Sequence, residues 1–167
     1  NTLFAFGGIY AAGSFGMELS EIIIFAIGMN VTAGLGAIFF AWIDDWIGPK
    51  KTLLITLIGL IVLGVALLIV QTKIGFWLFA LPMGIFVGPT QAASRSMMAK
   101  LVPPEVITKM FGLYAFSGKA TAFVGPALLG AVSLAFGSQR AGMATILVFF
   151  VIGLFLLTKV QEPADKS

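Results

Sequence analysis

One lysine sits where charge is expensive. Lys119 falls inside an apolar run near 108–135. It lies about ten residues, roughly 15 Å, in from the end of that run bearing Lys109. An ammonium at such depth costs about 2.5–3.5 kcal/mol on insertion scales, so it must face a cavity or a partner. Snorkelling does not rescue it, because both ends of the run are far away. No Asp or Glu of this chain sits at the same depth. Its counter-charge is therefore an anionic solute, a helix C-terminus, or a group outside the chain. A solute-binding role and a structural one both stay open on these grounds.

Other polar side chains interrupt the apolar runs. Tyr114, Ser117 and Thr121 are spaced i, i+3, i+7 and share a helix face. Asn30 and Thr32 fall midway along a second run, Tyr10 and Ser14 in a first, and Thr90, Gln91 and Ser94 in a fourth. A single Ser or Thr usually bonds back to its own helix. The amides of Asn30 and Gln91 are not expected to satisfy themselves that way, so both are candidates for lining a polar cavity. Lys119, Tyr114, Ser117, Asn30, Tyr10 and Gln91 form the candidate solute-binding set. Catalytic chemistry is harder to find. There is no His and no Cys, which removes the usual zinc ligands and any thiol nucleophile. No nucleophile–base or carboxylate pair lies at depth. Neither an enzyme nor a cofactor is expected.

The elements that hold these residues are membrane helices. Hydrophobic residues make up 59% of the chain and charged residues 10%; soluble domains carry about 25% charged residues. Mean hydropathy is +1.07. Six apolar runs are expected as transmembrane helices, near 1–16, 22–43, 52–71, 75–98, 108–135 and 141–159, followed by a polar tail. Backbone at membrane depth must be satisfied within a helix, so the fold class is all-α. The chain reads as a single six-helix transmembrane bundle, residues 1–167, with short loops that make consecutive helices antiparallel. The first run is short and lacks a signal-peptide pattern, so the chain is expected to be cut at residue 1.

Positive charge sets the orientation. Lys50, Lys51, Arg95, Lys100, Lys109, Lys159 and Lys166 gather on one side, and Lys73 and Arg140 on the other: seven against two. The positive-inside rule makes the first side, with the C-terminus, cytoplasmic. The net charge of +3 belongs to those loops. No basic cluster interleaves with aromatics, so nucleic acid is not an expected partner.

Small residues mark close helix approaches. They include Gly112, Ala115, Gly118, Ala122, Gly125 and Gly130 in the fifth run and Gly28, Gly34, Gly36 and Ala37 in the second. Pro82, Pro89 and Pro126 favour kinks within their spans. The loop Asp45-Trp46-Ile47-Gly48-Pro49-Lys50-Lys51 has the form D-x-x-G-x-[KR]-[KR]. Glycine permits a tight turn, the lysines meet water and lipid head groups, and the aspartate can pair with a cation or cap a helix.

This loop resembles the signature loop of the major facilitator superfamily, with Trp46 where a basic residue is usual and Ala41 where a glycine is usual. The stretches Ser94-Arg95-Ser96, Leu101-Val102-Pro103-Pro104-Glu105, Phe111 to Lys119 and Gly125-Pro126 resemble the vacuole-effluxer branch, which includes the fungal autophagy-related amino-acid effluxer and bacterial relatives. The resemblance covers essentially the whole chain. It implies the C-terminal half of a twelve-helix, alternating-access transporter of a small solute, with amino-acid efflux as one example, in a bacterial inner membrane. It also implies a cytoplasmic gate made by Asp45, Gly48, Lys50, Lys51 and Arg95. The expected partners are the lipid bilayer, the solute and the missing N-terminal half. An oligomeric channel or a non-transporting scaffold are the rival classes.

Overall fold

The computed structural model describes residues 2–160, and all regular structure among them is helical. Six α-helices follow one another: α1 (Thr2–Phe15), α2 (Leu19–Ile47), α3 (Pro49–Ile69), α4 (Lys73–Leu101), α5 (Ile107–Phe136) and α6 (Gln139–Lys159). A single 3₁₀ turn, Pro104–Val106, precedes α5. Helices α2 to α6 are long and apolar enough to cross a membrane. Helix α1 has 14 residues, about 21 Å of rise, and a hydrocarbon core is about 30 Å thick. The polar tail at 161–167, with Lys166, lies outside the described residues.

Helices α2 to α6 start one to three residues before their apolar runs, and polar or proline residues mark several of those starts. The Glu18 N–H donates to the Glu21 carboxylate at 3.0 Å, one arm of a capping box at the start of α2. Thr72 accepts from the Gly75 N–H at 3.2 Å at the start of α4. Pro49 opens α3, where its missing N–H costs nothing. Helices α4 and α5 run unbroken through Pro82, Pro89 and Pro126.

Packing is uneven. Helix α4 lies against α2 and α3, α6 against α3 and α5, and α1 touches α2, α5 and α6. The α2–α4 crossing is the tightest. A Cβ on Gly36 would strike the backbone of Ile85, and one on Gly88 would strike the carbonyl of Ala33. Only glycine lets these two backbones come so close. An aromatic cluster of Tyr10, Phe15, Phe25, Phe76 and Trp77 fills the end of the bundle near Lys73.

The contacts repeat. Exchanging α1 with α4, α2 with α5 and α3 with α6 maps α2–α4 onto α1–α5, α3–α4 onto α1–α6, and α2–α3 onto α5–α6. The α1–α2 pair maps onto α4–α5, which a Ser94–Tyr114 hydrogen bond joins. Helices three apart in an antiparallel series run in opposite directions, so this exchange pairs helices of opposite direction.

Candidate functional site

The turn between α2 and α3 is a single residue. Gly48 holds φ 83°, ψ 159°, a region that residues with a Cβ avoid. Its N–H donates to the Asp44 carbonyl at 2.9 Å, and its carbonyl accepts from the Thr52 hydroxyl at 3.0 Å. The turn therefore closes α2 and opens α3 within one residue. Charge is arranged across it. Asp44 and Asp45 sit in the last turn of α2, against that helix's dipole, and Lys50 and Lys51 in the first turn of α3, also against theirs. Each pair lies beside the helix end that favours it on the other side of Gly48. Asp45, Lys51 and Arg95 are exposed, and Gly48 and Lys50 half-buried. Asp44 was not singled out from sequence. It carries a buried carboxylate oxygen with no hydrogen-bond partner among the described residues.

Helices α4 and α5 meet through polar atoms. The Tyr114 hydroxyl and Ser94 Oγ are 2.7 Å apart. Ser117 donates to the Tyr114 carbonyl at 2.8 Å, and Thr121 to the Ser117 carbonyl at 2.8 Å. Beside them α3, α4, α5 and α6 enclose a cavity of about 240 Å³, whose polar lining is Thr90, Gln91, Thr121 and Thr145. The three threonines donate to their own helices at 2.7, 2.8 and 3.4 Å, leaving hydroxyl lone pairs to the cavity. The side-chain amide of Gln91 is exposed. Thr145 was a lone threonine in sequence, with no local signal to mark it.

Lys119 does not join this group. Five residues separate it from Tyr114, so the two point about 140° apart around α5. Lys119 is exposed, with no hydrogen-bond or ion-pair partner among the described residues. It shares its side of the helix with Gly112, Ala115 and Ala122 and, at i−3 and i+4, with Phe116 and Phe123, all exposed. Gly112 and Gly118 have nothing within 4 Å of a built Cβ. Nearly every residue of α5 from 112 to 124 is exposed.

Asn30 has a similar setting on α2. It is exposed, on a side shared with Ala26, Gly34 and Ala41. Exposed Ile23 and Ile27 border that side, and Val31, Leu35 and Ile38 continue the aliphatic surface around the helix. One amide hydrogen of Asn30 goes back to the Ala26 carbonyl at 2.8 Å. An asparagine can thus half-satisfy itself on its own helix, which the sequence reading did not allow for. Under that exchange of helices α2 corresponds to α5. Asn30 and Lys119 then occupy closely matching depths, about 17 and 18 Å from their helix starts.

Tyr10 lies apart from all of these. It is 1% exposed and packs its ring against Phe15 and Phe76. The six candidate residues therefore occupy three places: the α4–α5 contact, where Gln91 lines the cavity and Tyr114 and Ser117 lie beside it, the open sides of α2 and α5 with Asn30 and Lys119, and the aromatic end of the bundle with Tyr10.

Known proteins place this arrangement. The family model described as "Vacuole effluxer Atg22 like" matches residues 1–166. The uncharacterized MFS-type transporter YxiO of Bacillus subtilis is 28% identical over 152 residues, covering 91% of this chain and 36% of that protein. Autophagy-related protein 22 of Cryptococcus neoformans is 34% identical over 84 residues, 50% of this chain and 15% of that protein. Autophagy-related protein 22-2 of Emericella nidulans is 36% identical over 84 residues, with 50% and 14% covered. The chain thus spans about a third of YxiO and a smaller share of the fungal proteins. No solved structure matches it.

Proposed function

We propose, from the premise that this chain belongs to the vacuole effluxer Atg22-like family, that it is one six-helix half of an alternating-access transporter. Integral membrane placement and a transporter family are the ground; the finer reading follows from the faces of α2 and α5. The observation that carries it is Lys119, a mid-span ammonium with no partner among the described residues, on a helix that its own bundle leaves open. A mid-span lysine set among Gly112, Ala115 and Ala122, even with Phe116 and Phe123 beside it, is costly against lipid tails. It suits a second bundle across a polar path.

In this reading residues 1–167 form a single six-helix unit whose partner is a further six-helix half. Read as an inverted three-helix repeat, the exchange of α1–α3 with α4–α6 gives α2 and α5 matching roles, and solute sits at the midplane between halves. Lys119 holds an anionic group of the solute, such as a carboxylate, and the free part of the Asn30 amide hydrogen-bonds to it. Tyr114, Ser117 and Gln91 line the approach from the α4–α5 cavity, with Tyr10 closing the far end. Asp45, Gly48, Lys50, Lys51 and Arg95 form the gate on the cytoplasmic side, which also holds the C-terminus. The membrane is the bacterial inner membrane, and amino acids fit the chemistry of Lys119.

The test uses the native polypeptide in liposomes with a panel of radiolabelled amino acids, wild type against Lys119→Met and Lys119→Arg. Saturable flux that falls at least tenfold in Lys119→Met, a loss of about 1.4 kcal/mol or more, and returns in part in Lys119→Arg is the expected result. Unchanged flux in Lys119→Met would sink the reading, and unitary currents in planar bilayers would move the protein to the channels.

A further inference from the structure

A second cavity, of about 220 Å³, lies at the end of the bundle bearing Lys73 and Arg140, where α1, α5 and α6 meet. Its walls are mostly apolar: Leu129, Leu134 and Met143 face it. Two hydroxyls line it as well, and neither has a hydrogen-bond partner among the described residues. One is the phenol of Tyr10, a residue 1% exposed; the other is the buried Oγ of Ser133. The third polar group is Gln139, whose Oε1 accepts a long, weak bond from Ser14 at 3.5 Å.

Buried hydroxyls are almost always paired, because stripping them of water without replacement costs free energy. One exception can be a packing accident. Two in a single cavity, from different helices, are a shared demand for one ligand. No charged side chain lines the cavity, so that ligand is neutral. A ligand that both donates and accepts matches the phenol and the serine hydroxyl, which each do both. Water occupies about 30 Å³ in the liquid, and a buried water needs two to four polar partners. The volume and the polar set both suit a small cluster.

We propose that this cavity is a hydration site, in which ordered water bridges Tyr10 and Ser133 between α1 and α5. Its position gives it a use. Lys119, Pro126 and Ser133 follow at successive intervals of seven along α5, on one side of the helix. The site therefore lies about 21 Å along the axis from Lys119, at the far end of the same side. There the water would hydrate a polar solute leaving the Lys119 path. That use rests on the transport reading; the hydration site itself does not.

Radiolytic footprinting tests it, because hydroxyl radicals formed in bound water oxidise the adjacent side chain, and methionine sulfur is a ready target. Met143 lines the cavity and is 6% exposed; Met97, equally exposed, and Met83, at 2%, do not line it. In the native polypeptide, Met143 should oxidise several-fold faster than Met97 and Met83. The double variant Tyr10→Phe, Ser133→Ala should erase that excess. Met143 reacting no faster than the two controls would overturn the proposal. So would an excess that survives in the double variant, since bulk access would then explain it. Melting temperature gives a second readout. Tyr10→Phe should lower it if the phenol is hydrated, and a rise would mark a dry, orphaned hydroxyl and overturn the proposal.

Discussion

Lys119 and Tyr114 divide the work on α5. Tyr114 is spent on structure: its hydroxyl reaches Ser94 at 2.7 Å and ties α5 to α4. Tyr114→Phe should lower stability by about 1 kcal/mol, the net worth of an ordinary hydrogen bond, in thermal unfolding of the purified protein. Lys119 makes no such bond among the described residues, so Lys119→Met should leave the melting point unchanged or raise it while flux collapses. The two variants should thus separate: one moves stability first, the other transport first. Sequence named both residues but put them in one group. Their spacing of five already places them about 140° apart; the i, i+3, i+7 set drew attention to the Tyr114 side. Asp44 was missed for another reason. Two adjacent aspartates look alike in a motif, and only packing decides that Asp44 buries an oxygen while Asp45 faces out.

Glycine decides how the helices meet. At the α2–α4 crossing Gly36 and Gly88 touch backbone, which cannot rotate aside. Gly36→Ala must push α2 and α4 apart and should cost about 1–3 kcal/mol, as overpacking does. Gly34→Ala, two residues earlier in open space, should be nearly silent in the same thermal unfolding assay. Gly48→Ala forces a Cβ into a backbone region kept for glycine and should cost about 1–3 kcal/mol, detectable as lost expression or a lower melting point. Each of the six apolar runs holds a helix among the described residues, but only five of these, α2 to α6, are long enough to span a membrane. The helix ends were not legible, because capping residues such as Glu18, Thr72 and Pro49 extend the helices past the apolar pattern. Small-residue spacing revealed close approach in general but not its partner. On α5 Gly112 and Gly118 face open space, whereas Gly84 and Gly88 of α4, overshadowed in sequence by Pro82 and Pro89, are the ones in contact.

The molecule as a whole has two kinds of exposed surface. One is bulky and aliphatic, as on α2 at Ile27, Val31, Leu35 and Ile38, and suits lipid. The other carries small and polar residues around Asn30 and Lys119, bordered by Ile23, Ile27, Phe116 and Phe123, and suits another bundle across a polar path. Contacts at the end bearing Lys73 and Arg140 brace the unit: Lys73 pairs with Glu21 at 2.6 Å between α4 and α2, and Arg140 donates to the Val70 carbonyl at 3.3 Å between α6 and α3. Both are exposed or half-buried, so Glu21→Gln should shift the melting point little, and less still in high salt. Thiol labelling tests the central claim most directly, since the chain has no cysteine of its own. Ala122→Cys, on the Lys119 side of α5, is compared with Val31→Cys, on the aliphatic side of α2. Each is made in the native polypeptide, freed of other cysteines and held in sealed vesicles. Facing an aqueous path between two halves, Ala122→Cys should react with a membrane-impermeant thiol reagent, while Val31→Cys stays silent. An Ala122→Cys as unreactive as Val31→Cys would place the Lys119 side in lipid or in a dry interface and contradict the account.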